Sequence, residues 1–175
     1  PLPAFGNGGM VLTDSENERD LIRGLRYHAQ GTAKLSHGYN SCLSQEHANI
    51  LHFLMSKYKT LLGKTEKIRK LYDTKLFDLN ISSIKTQEGT ISNNHKLVIK
   101  VQDRDNLKAF LESKNIQTQI HYPLPLPKMK MFYSDQEMPN ALKFCQDVLS
   151  LPIHPFLEPH EVEKVCKCIG DFYGI

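Results

Sequence analysis

The sequence predicts an α+β fold, because a region of helical periodicity comes first and a mixed unit of short strands and helices follows it. Apolar residues recur at alternating spacings of three and four from Leu51 to Tyr72, which predicts a long helix beginning after the N-cap Ser44. After Thr74 the pattern changes to short apolar runs separated by turn residues. No apolar run approaches the roughly 20 residues that span a bilayer, so no membrane partner is expected.

The N-terminal region predicts a strand, a helix and a loop. Met10–Leu12 follows a glycine turn and predicts a short apolar strand. Ser15 and Glu18 have the spacing of a capping box, so a helix should follow them. Gln30–Tyr39 is small and polar, which is typical of a loop. The buried face of the helix is expected to consist of Leu21, Ile22 and Leu25.

The region beyond Thr74 predicts the mixed unit. The last helix, opened by Pro159, should bury a stripe of apolar residues that runs from Val162 to Phe172. The elements before it are predicted to be a strand at Lys96–Val101, a helix at Asp103–Ser113, a strand edge at Gln117–His121, an extended proline loop at Pro123–Pro127 and a helix at Asn140–Leu149.

The composition is that of an ordinary globular protein. The chain has 175 residues, 40% hydrophobic residues and a net charge of +3. Its four cysteines suit neither a zinc ribbon nor a disulfide framework, so we expect reduced thiols acting as small apolar residues and a location in the reducing cytoplasm. These cysteines are Cys42, Cys145, Cys166 and Cys168.

Much of the positive charge lies between Lys57 and Lys75. This stretch contains no interleaved aromatic platform and no nucleic-acid motif, so a solvated helix face is favoured over a nucleic-acid partner. Spacing alone identifies no catalytic machinery, since there is no Walker loop, no His-Glu-x-x-His and no Gly-x-Ser-x-Gly. His47 and His52 are five residues apart, which is wrong for a helical metal pair, and no metal is expected.

Six motifs occur in one order along the chain. They are Ala4–Asp14 (with Gly-Asn-Gly-Gly-Met-Val-Leu-Thr), Arg19–Arg26, Gly38–Leu43 (Gly-Tyr-Asn-Ser-Cys-Leu), Arg104–Leu111 (Arg-Asp-x-Leu-x-x-x-Leu), Ile116–Pro125 (with His-Tyr-Pro-Leu-Pro) and Leu149–Ile153 (Leu-Ser-Leu-Pro-Ile). Each is weak alone, but together they resemble the DegT/DnrJ family, aminotransferases that act on keto sugars attached to nucleotides.

The resemblance implies the C-terminal half of a fold type I aminotransferase, whose small domain has a mainly antiparallel sheet with helices. It implies a remnant of the cofactor-binding large domain at residues 1–43, a long connecting helix at 44–73 and the small domain at 74–175. The family uses pyridoxal 5′-phosphate held by a lysine, and that lysine would fall one position before Pro1. No catalytic residue is therefore expected in this chain, which should bind no cofactor alone and should work as a homodimer or with the missing N-terminal half.

The resemblance also implies site residues. Asn40 matches an asparagine that reaches the cofactor phosphate of the neighbouring subunit, although a loop residue bonding its own backbone is the alternative. His121 and Tyr122 match a pair that borders the nucleotide-sugar pocket, although anchoring of the proline loop is the alternative. The amino donor would be an amino acid, usually glutamate, and the His-Tyr-Pro-Leu-Pro form resembles enzymes acting on 3-keto sugars.

Two departures from the family pattern fall at the substrate side. Cys42 replaces an arginine, and a thiol cannot make the bidentate phosphate contact of a guanidinium. Pro127 replaces a histidine. They favour an alternative in which the chain is a non-catalytic remnant that serves as a dimerisation or binding module. An unrelated basic binding module resting on the Lys57–Lys75 face is a third hypothesis.

Overall fold

The computed structural model describes residues 8–30 and 35–175. It divides into two compact units, a first unit that reaches as far as Tyr58 and a second unit from Lys59 to Ile175. The three segments expected from the sequence stay a prediction. Residues 4–7 of the first motif and residues 31–34 of the predicted loop lie outside the described residues.

Helix α1 runs from Glu16 to Arg26 in the first unit. Ser15 is its N-cap, as predicted, and its hydroxyl accepts a hydrogen bond of 3.3 Å from the Glu18 amide. The second bond of the predicted capping box, from the Ser15 amide to the Glu18 carboxylate, is not formed, so that part of the prediction is wrong. The Ser15 amide donates instead to the Thr13 hydroxyl at 3.1 Å, and this hydroxyl donates to the Glu18 carboxylate. Thr13 therefore occupies both groups that the box would have paired.

Two further predictions for the first unit are wrong. Met10–Leu12 forms no strand, because no described residue of this unit lies beside it as a pairing strand, and all three side chains are exposed. The apolar face of α1 is not buried either, since Leu21 is 43% exposed and only Gly24 of the helix is buried. Amphipathic periodicity predicted the helix correctly, but burial also needs a second layer.

The long predicted helix is present as α2, which spans 34 residues from Gln45 to Asp78. Ser44 caps it by accepting from the His47 amide at 3.3 Å. The helix extends beyond the predicted end near Tyr72 and buries Leu76 in its final turn. Thr65, the polar residue in the apolar stripe, is buried and donates its hydroxyl proton to the Leu61 carbonyl at 3.1 Å. None of the helices among the described residues is long and apolar enough to cross a membrane.

The second unit contains a three-stranded antiparallel sheet, whose strands lie side by side in the order in which they follow along the chain. The predicted strand β2 is present at Leu97–Lys100. The other strands are β1, Ser82–Ser83, which the sequence did not predict, and β3, Val148–Leu151. The sequence placed the start of β3 at the end of a helix, but that helix, α4, spans only Pro139–Asp147. All residues of β3 are buried against β2, so tertiary pairing overrides local helical periodicity there.

Helices α3, Arg104–Ser113, and α5, Pro159–Tyr173, complete the second unit as predicted. One hydrophobic core joins them to the sheet and to the second half of α2. Its fully buried side chains include Tyr72, Leu76, Leu97, Ile99, Leu107, Leu111, Leu149, Val162 and Ile169.

Arg104 ties α3 to the junction between α4 and β3. Its guanidinium donates to the carbonyl oxygens of Cys145 and Val148, both at 3.2 Å. The side chain is only 10% exposed, so the contact is largely shielded from water. These contacts, which we call the Arg104 clamp, give the arginine of the fourth motif a structural role.

The segment between α3 and α4 is mostly irregular. The predicted strand edge at Gln117–His121 is reduced to one isolated antiparallel bridge, between Gln119 and Ser150. A short 3-10 helix at Leu126–Lys128 begins at the end of the predicted proline loop, and a second one follows the loop at Lys130–Phe132. Proline at the first turn of such a helix costs no hydrogen bond, so Pro127 is compatible with the first of them.

Candidate functional site

The Gly-Tyr-Asn motif lies against the end of helix α1. The Tyr39 amide donates to the Leu25 carbonyl at 2.6 Å, and the His28 amide donates to the Tyr39 carbonyl at 3.1 Å. Tyr27 and Asn40 then form an antiparallel bridge. These bonds fix the backbone on both sides of Asn40 even though it lies outside regular structure.

Gly38 permits this close approach. A Cβ atom at this position would lie 2.2 Å from the Ala29 amide nitrogen and 2.7 Å from the His28 carbonyl carbon. Both of those residues already have left-handed backbone angles, with φ of 54° at His28 and 62° at Ala29. No larger residue fits, so the first residue of the motif is required by backbone contact.

The Asn40 side chain is exposed and forms no hydrogen bond with another described residue. The alternative interpretation, in which its amide satisfies its own backbone, therefore gains no support from the described contacts. A carboxamide offers two N–H donors, which suits a phosphate oxygen. The residues of this chain thus fit the phosphate end of the implied cofactor, and the role of Asn40 stays a prediction.

Cys42 lies two residues beyond Asn40 and is also exposed. Its Sγ lies 3.6 Å from the Arg26 carbonyl oxygen, to which a thiol donates weakly. The other three cysteines are buried, and burial raises the pKa of the Cys166 thiol to about 11. All four thiols are free, and the described residues contain no group of three or more acidic, histidine or cysteine side chains that could hold a metal.

His121 is half-buried in the second unit and contacts strand β3. Its Nδ1 lies 2.8 Å from the Ser150 hydroxyl oxygen. Burial lowers the pKa of His121 below its usual value, and the nearby Lys96 ammonium adds to this effect. The lowered pKa favours the neutral imidazole, a form that has one N–H to donate.

Tyr122 projects into solvent beside His121, with 61% of its surface exposed. The peptide bond between the two residues is cis, and their rings meet edge to face with centroids 5.5 Å apart. The Lys96 ammonium donates to the Tyr122 hydroxyl at 3.3 Å and lies 5.1 Å from the centre of its ring. We call His121, Tyr122, Lys96 and Ser150 the donor corner.

Of the residues singled out from the sequence, the structure brings His121 and Tyr122 together, whereas Asn40 belongs to the first unit. Lys96 begins a predicted strand and Ser150 lies in the sixth motif, but the sequence analysis identified neither as a site residue. Side-chain alternation, continued one residue before β2, places Lys96 on the same side of the sheet as Val98, but only the pairing of β2 with β3 places Ser150 there too. Pro127 is half-buried in the first 3-10 helix.

The architecture of the chain is that of the C-terminal part of fold type I aminotransferases, with a small antiparallel sheet, covering helices and a long helix before them. The model of the DegT/DnrJ/EryC1/StrS aminotransferase family matches residues 1–170. The chain therefore belongs to this family, as its motifs predicted.

Individual relatives agree with this assignment. The chain is 32% identical to the "pleiotropic regulatory protein" of Geobacillus stearothermophilus, over 98% of this chain and 49% of that protein. It is 26% identical to the UDP-2-acetamido-2-deoxy-3-oxo-D-glucuronate aminotransferase of Pseudomonas aeruginosa, over 97% of this chain and 48% of that protein. The crystal structure of S. venezuelae DesV in complex with a ketimine intermediate superposes with a TM-score of 0.88 at 26% identity, over 97% of this chain and 47% of DesV. The chain spans about half the length of the curated relatives it matches.

Proposed function

We propose that this chain is the C-terminal portion of a pyridoxal-phosphate-dependent aminotransferase that moves an amino group from an amino acid, glutamate, to a nucleotide-linked keto sugar for polysaccharide or glycan synthesis. The observation that carries the proposal is the family match over residues 1–170, which includes every residue of the donor corner and Asn40. The similarity to the Pseudomonas relative, a 3-oxo sugar aminotransferase, supports a 3-keto sugar as the acceptor.

The residues of this chain bind and orient the cofactor and the nucleotide sugar, whereas the lysine-bearing segment performs the proton transfers. When bound, the cofactor supplies an electron sink at the carbon that exchanges its amino group. Asn40 donates a hydrogen bond to the cofactor phosphate, as the exposed carboxamide on a fixed backbone allows. His121 and Tyr122 donate to the nucleotide sugar and hold its reacting carbon near the cofactor.

Completion of the site requires a second polypeptide segment. We propose that a second copy of this chain or a lysine-bearing N-terminal half brings Asn40 to the cofactor of its neighbour, in the reducing cytoplasm. The free thiols of all four cysteines support that compartment. The exposed apolar residues of the first unit support a partner that covers them.

The decisive experiment measures transfer of ¹⁵N from labelled glutamate to a UDP-linked 3-keto sugar. This chain alone should give no transfer, and the chain combined with a lysine-bearing N-terminal half of the family should give product detectable by mass spectrometry. An Asn40→Ala variant should weaken cofactor binding about ten-fold, which corresponds to one lost hydrogen bond of about 1.4 kcal/mol. Asn49→Ala, on the exposed side of α2, is the matched control and should leave binding unchanged.

A second candidate function is a non-catalytic dimerisation or binding module. The exposed Cys42 favours it, because this position lacks the cation that family members place near the negative charge of the substrate. This alternative predicts no ¹⁵N transfer with any lysine-bearing half, together with a stable dimer in analytical ultracentrifugation. Transfer activity in the combined protein would exclude it.

A further inference from the structure

We propose that Lys96 is the cation of the donor corner and binds the diphosphate of the nucleotide-linked substrate, with Ser150 setting which nitrogen of His121 donates to it. The inference rests on the proposed function, because it concerns the same substrate, and adds two residues to the site. The positive charge of Lys96 then lies next to His121 and Tyr122. The chain carries cysteine at position 42, where the motif resemblance implies an arginine.

The register of the sheet brings the donor corner together. Val98 pairs with Ser150 across β2 and β3, and Ser150 pairs in turn with Gln119. Directly paired residues project to the same side of a sheet, and so do residues two apart on one strand. Lys96, two residues before Val98, and His121, two residues after Gln119, therefore lie on the side that carries Ser150. The contacts from Ser150 to His121 and from Lys96 to Tyr122 agree with this placement.

The donor corner holds more hydrogen-bond donors than it uses. The Lys96 ammonium has three N–H groups, and one of them is directed to the Tyr122 hydroxyl. The Tyr122 hydroxyl accepts that bond and keeps its own proton for an outside acceptor. Lys96 forms no ion pair with a carboxylate among the described residues, so an incoming anion displaces no internal partner. A diphosphate supplies the negative charge and the acceptor oxygens that this arrangement lacks.

Ser150 determines how His121 takes part. Ser150 is 5% exposed, and its hydroxyl oxygen lies 2.8 Å from the Nδ1 of His121. In the proposed arrangement this hydroxyl donates its proton to Nδ1. A neutral imidazole that accepts at Nδ1 carries its proton at Nε2, on the opposite side of the ring. The buried hydroxyl thus directs an N–H away from the sheet and makes His121 a donor. Ser150 is a positioning residue, since it acts through His121.

The test is calorimetric titration of the full, unmutated chain with UDP and dTDP. Uridine is the probe that lacks phosphate. Lys96→Gln should weaken binding of the preferred diphosphate ten- to hundred-fold and leave uridine binding unchanged. Lys100→Gln is the matched control, because Lys100 ends strand β2, which Lys96 directly precedes, and lies four residues away over the Phe144 ring. It should change diphosphate binding less than two-fold.

Ser150→Ala provides the second readout, since it removes only the hydroxyl. It should weaken diphosphate binding about three- to ten-fold and change how that affinity depends on pH. Ser150→Thr keeps the hydroxyl and should restore both the affinity and the pH profile. A purely structural role for Ser150 would lower stability in both variants without altering the pH profile.

Several outcomes would overturn the inference. One is unchanged UDP and dTDP affinity in Lys96→Gln, and another is an equal loss in Lys100→Gln, which would indicate nonspecific charge. A parallel titration with pyridoxal 5′-phosphate separates the two phosphate-bearing ligands, and a loss confined to that ligand would also contradict the assignment. Native protein that binds neither diphosphate overturns the inference, while the ¹⁵N assay still decides the proposed function. Diphosphate binding through Lys96 without ¹⁵N transfer would keep the inference and reject the function.

Discussion

The first and second units both contain regular, well-capped helices, but they differ in what those helices bury. In the described part of the first unit, Gly24 is the one buried residue, and the apolar side of α1 remains accessible to water. In the second unit, the amphipathic sides of α3 and α5 close over the sheet and form one core. The contrast shows that helical periodicity specifies a helix locally, whereas burial requires a second layer from elsewhere.

The largest expected effect is on susceptibility to protease. Local unfolding costs little where few apolar contacts are buried, so the first unit should be cleaved orders of magnitude faster than the second in the isolated chain. Limited trypsin digestion followed by mass spectrometry measures this, since basic residues occur in both units. Rapid cleavage confined to residues 74–175 would contradict the comparison.

Truncation of a core leucine should show the next largest effect. Leu107→Ala removes a fully buried side chain from α3 and should lower the free energy of unfolding by about 3 kcal/mol. Leu21→Ala, on the exposed side of α1, is its counterpart in the first unit and should change it by less than about 0.5 kcal/mol. Urea denaturation measures both. Equal losses in the two variants would mean that the first unit buries Leu21 after all.

Loss of the Arg104 clamp should have a smaller effect. Arg104→Met leaves the Cys145 and Val148 carbonyls without this donor and should cost about 2 kcal/mol of stability. Arg19→Met in the first unit removes exposed ion pairs only and should cost less than about 0.5 kcal/mol. Thermal unfolding compares them. A neutral Arg104→Met variant would show that the α4–β3 junction holds without the clamp.

Tyr72 should give a small change of opposite sign. Its hydroxyl is buried without a hydrogen-bond partner among the described residues, and burial raises its pKa far above the usual value. Tyr72→Phe removes this unpaired group and should stabilise the protein by about 1 kcal/mol, measured by the urea midpoint. Tyr58→Phe, half-buried in the first unit on the same helix, serves as control and should be neutral. Destabilisation by Tyr72→Phe would reveal a partner for the hydroxyl.

The smallest expected effect is a change in the pKa of His121. Burial and the Lys96 charge hold this pKa low, so Lys96→Gln should raise it, as an NMR titration of the ring protons would show. Below pH 6.5 the unfolded chain binds a proton at this site that the folded protein does not, so stability should fall as the pH drops toward the lowered pKa. Lys100→Gln should leave the titration unchanged. A fall in the pKa after Lys96→Gln would contradict the proximity of the two groups.

The sequence predicted those elements whose pattern is long enough to be unambiguous. Helices α2, α3 and α5 carry apolar stripes or strong caps, and their positions agree closely with the structure. Strand β1 consists of two serines, which carry no apolar alternation, and β3 continues directly from α4. Both strands exist because β2 lies between them, so local sequence could not identify them.

The candidate site, like the fold, was predicted in part from the sequence. Asn40, His121 and Tyr122 came from motif resemblance, and the sequence could not show which of them lie together. Lys96 and Ser150 could not be found without the register of the sheet, because 54 residues separate them along the chain. Contacts of that kind depend on tertiary pairing, which motif order does not reveal.

The exposure of Cys42 makes it a chemical handle at the position that the motif resemblance matches to an arginine. Three of the four thiols are buried, and the high pKa of Cys166 further suppresses its thiolate, so a maleimide should react at Cys42. A fluorophore or spin label can thus be attached two residues from Asn40 without any engineered mutation. The label at Cys42 would report on any partner or ligand that approaches this loop.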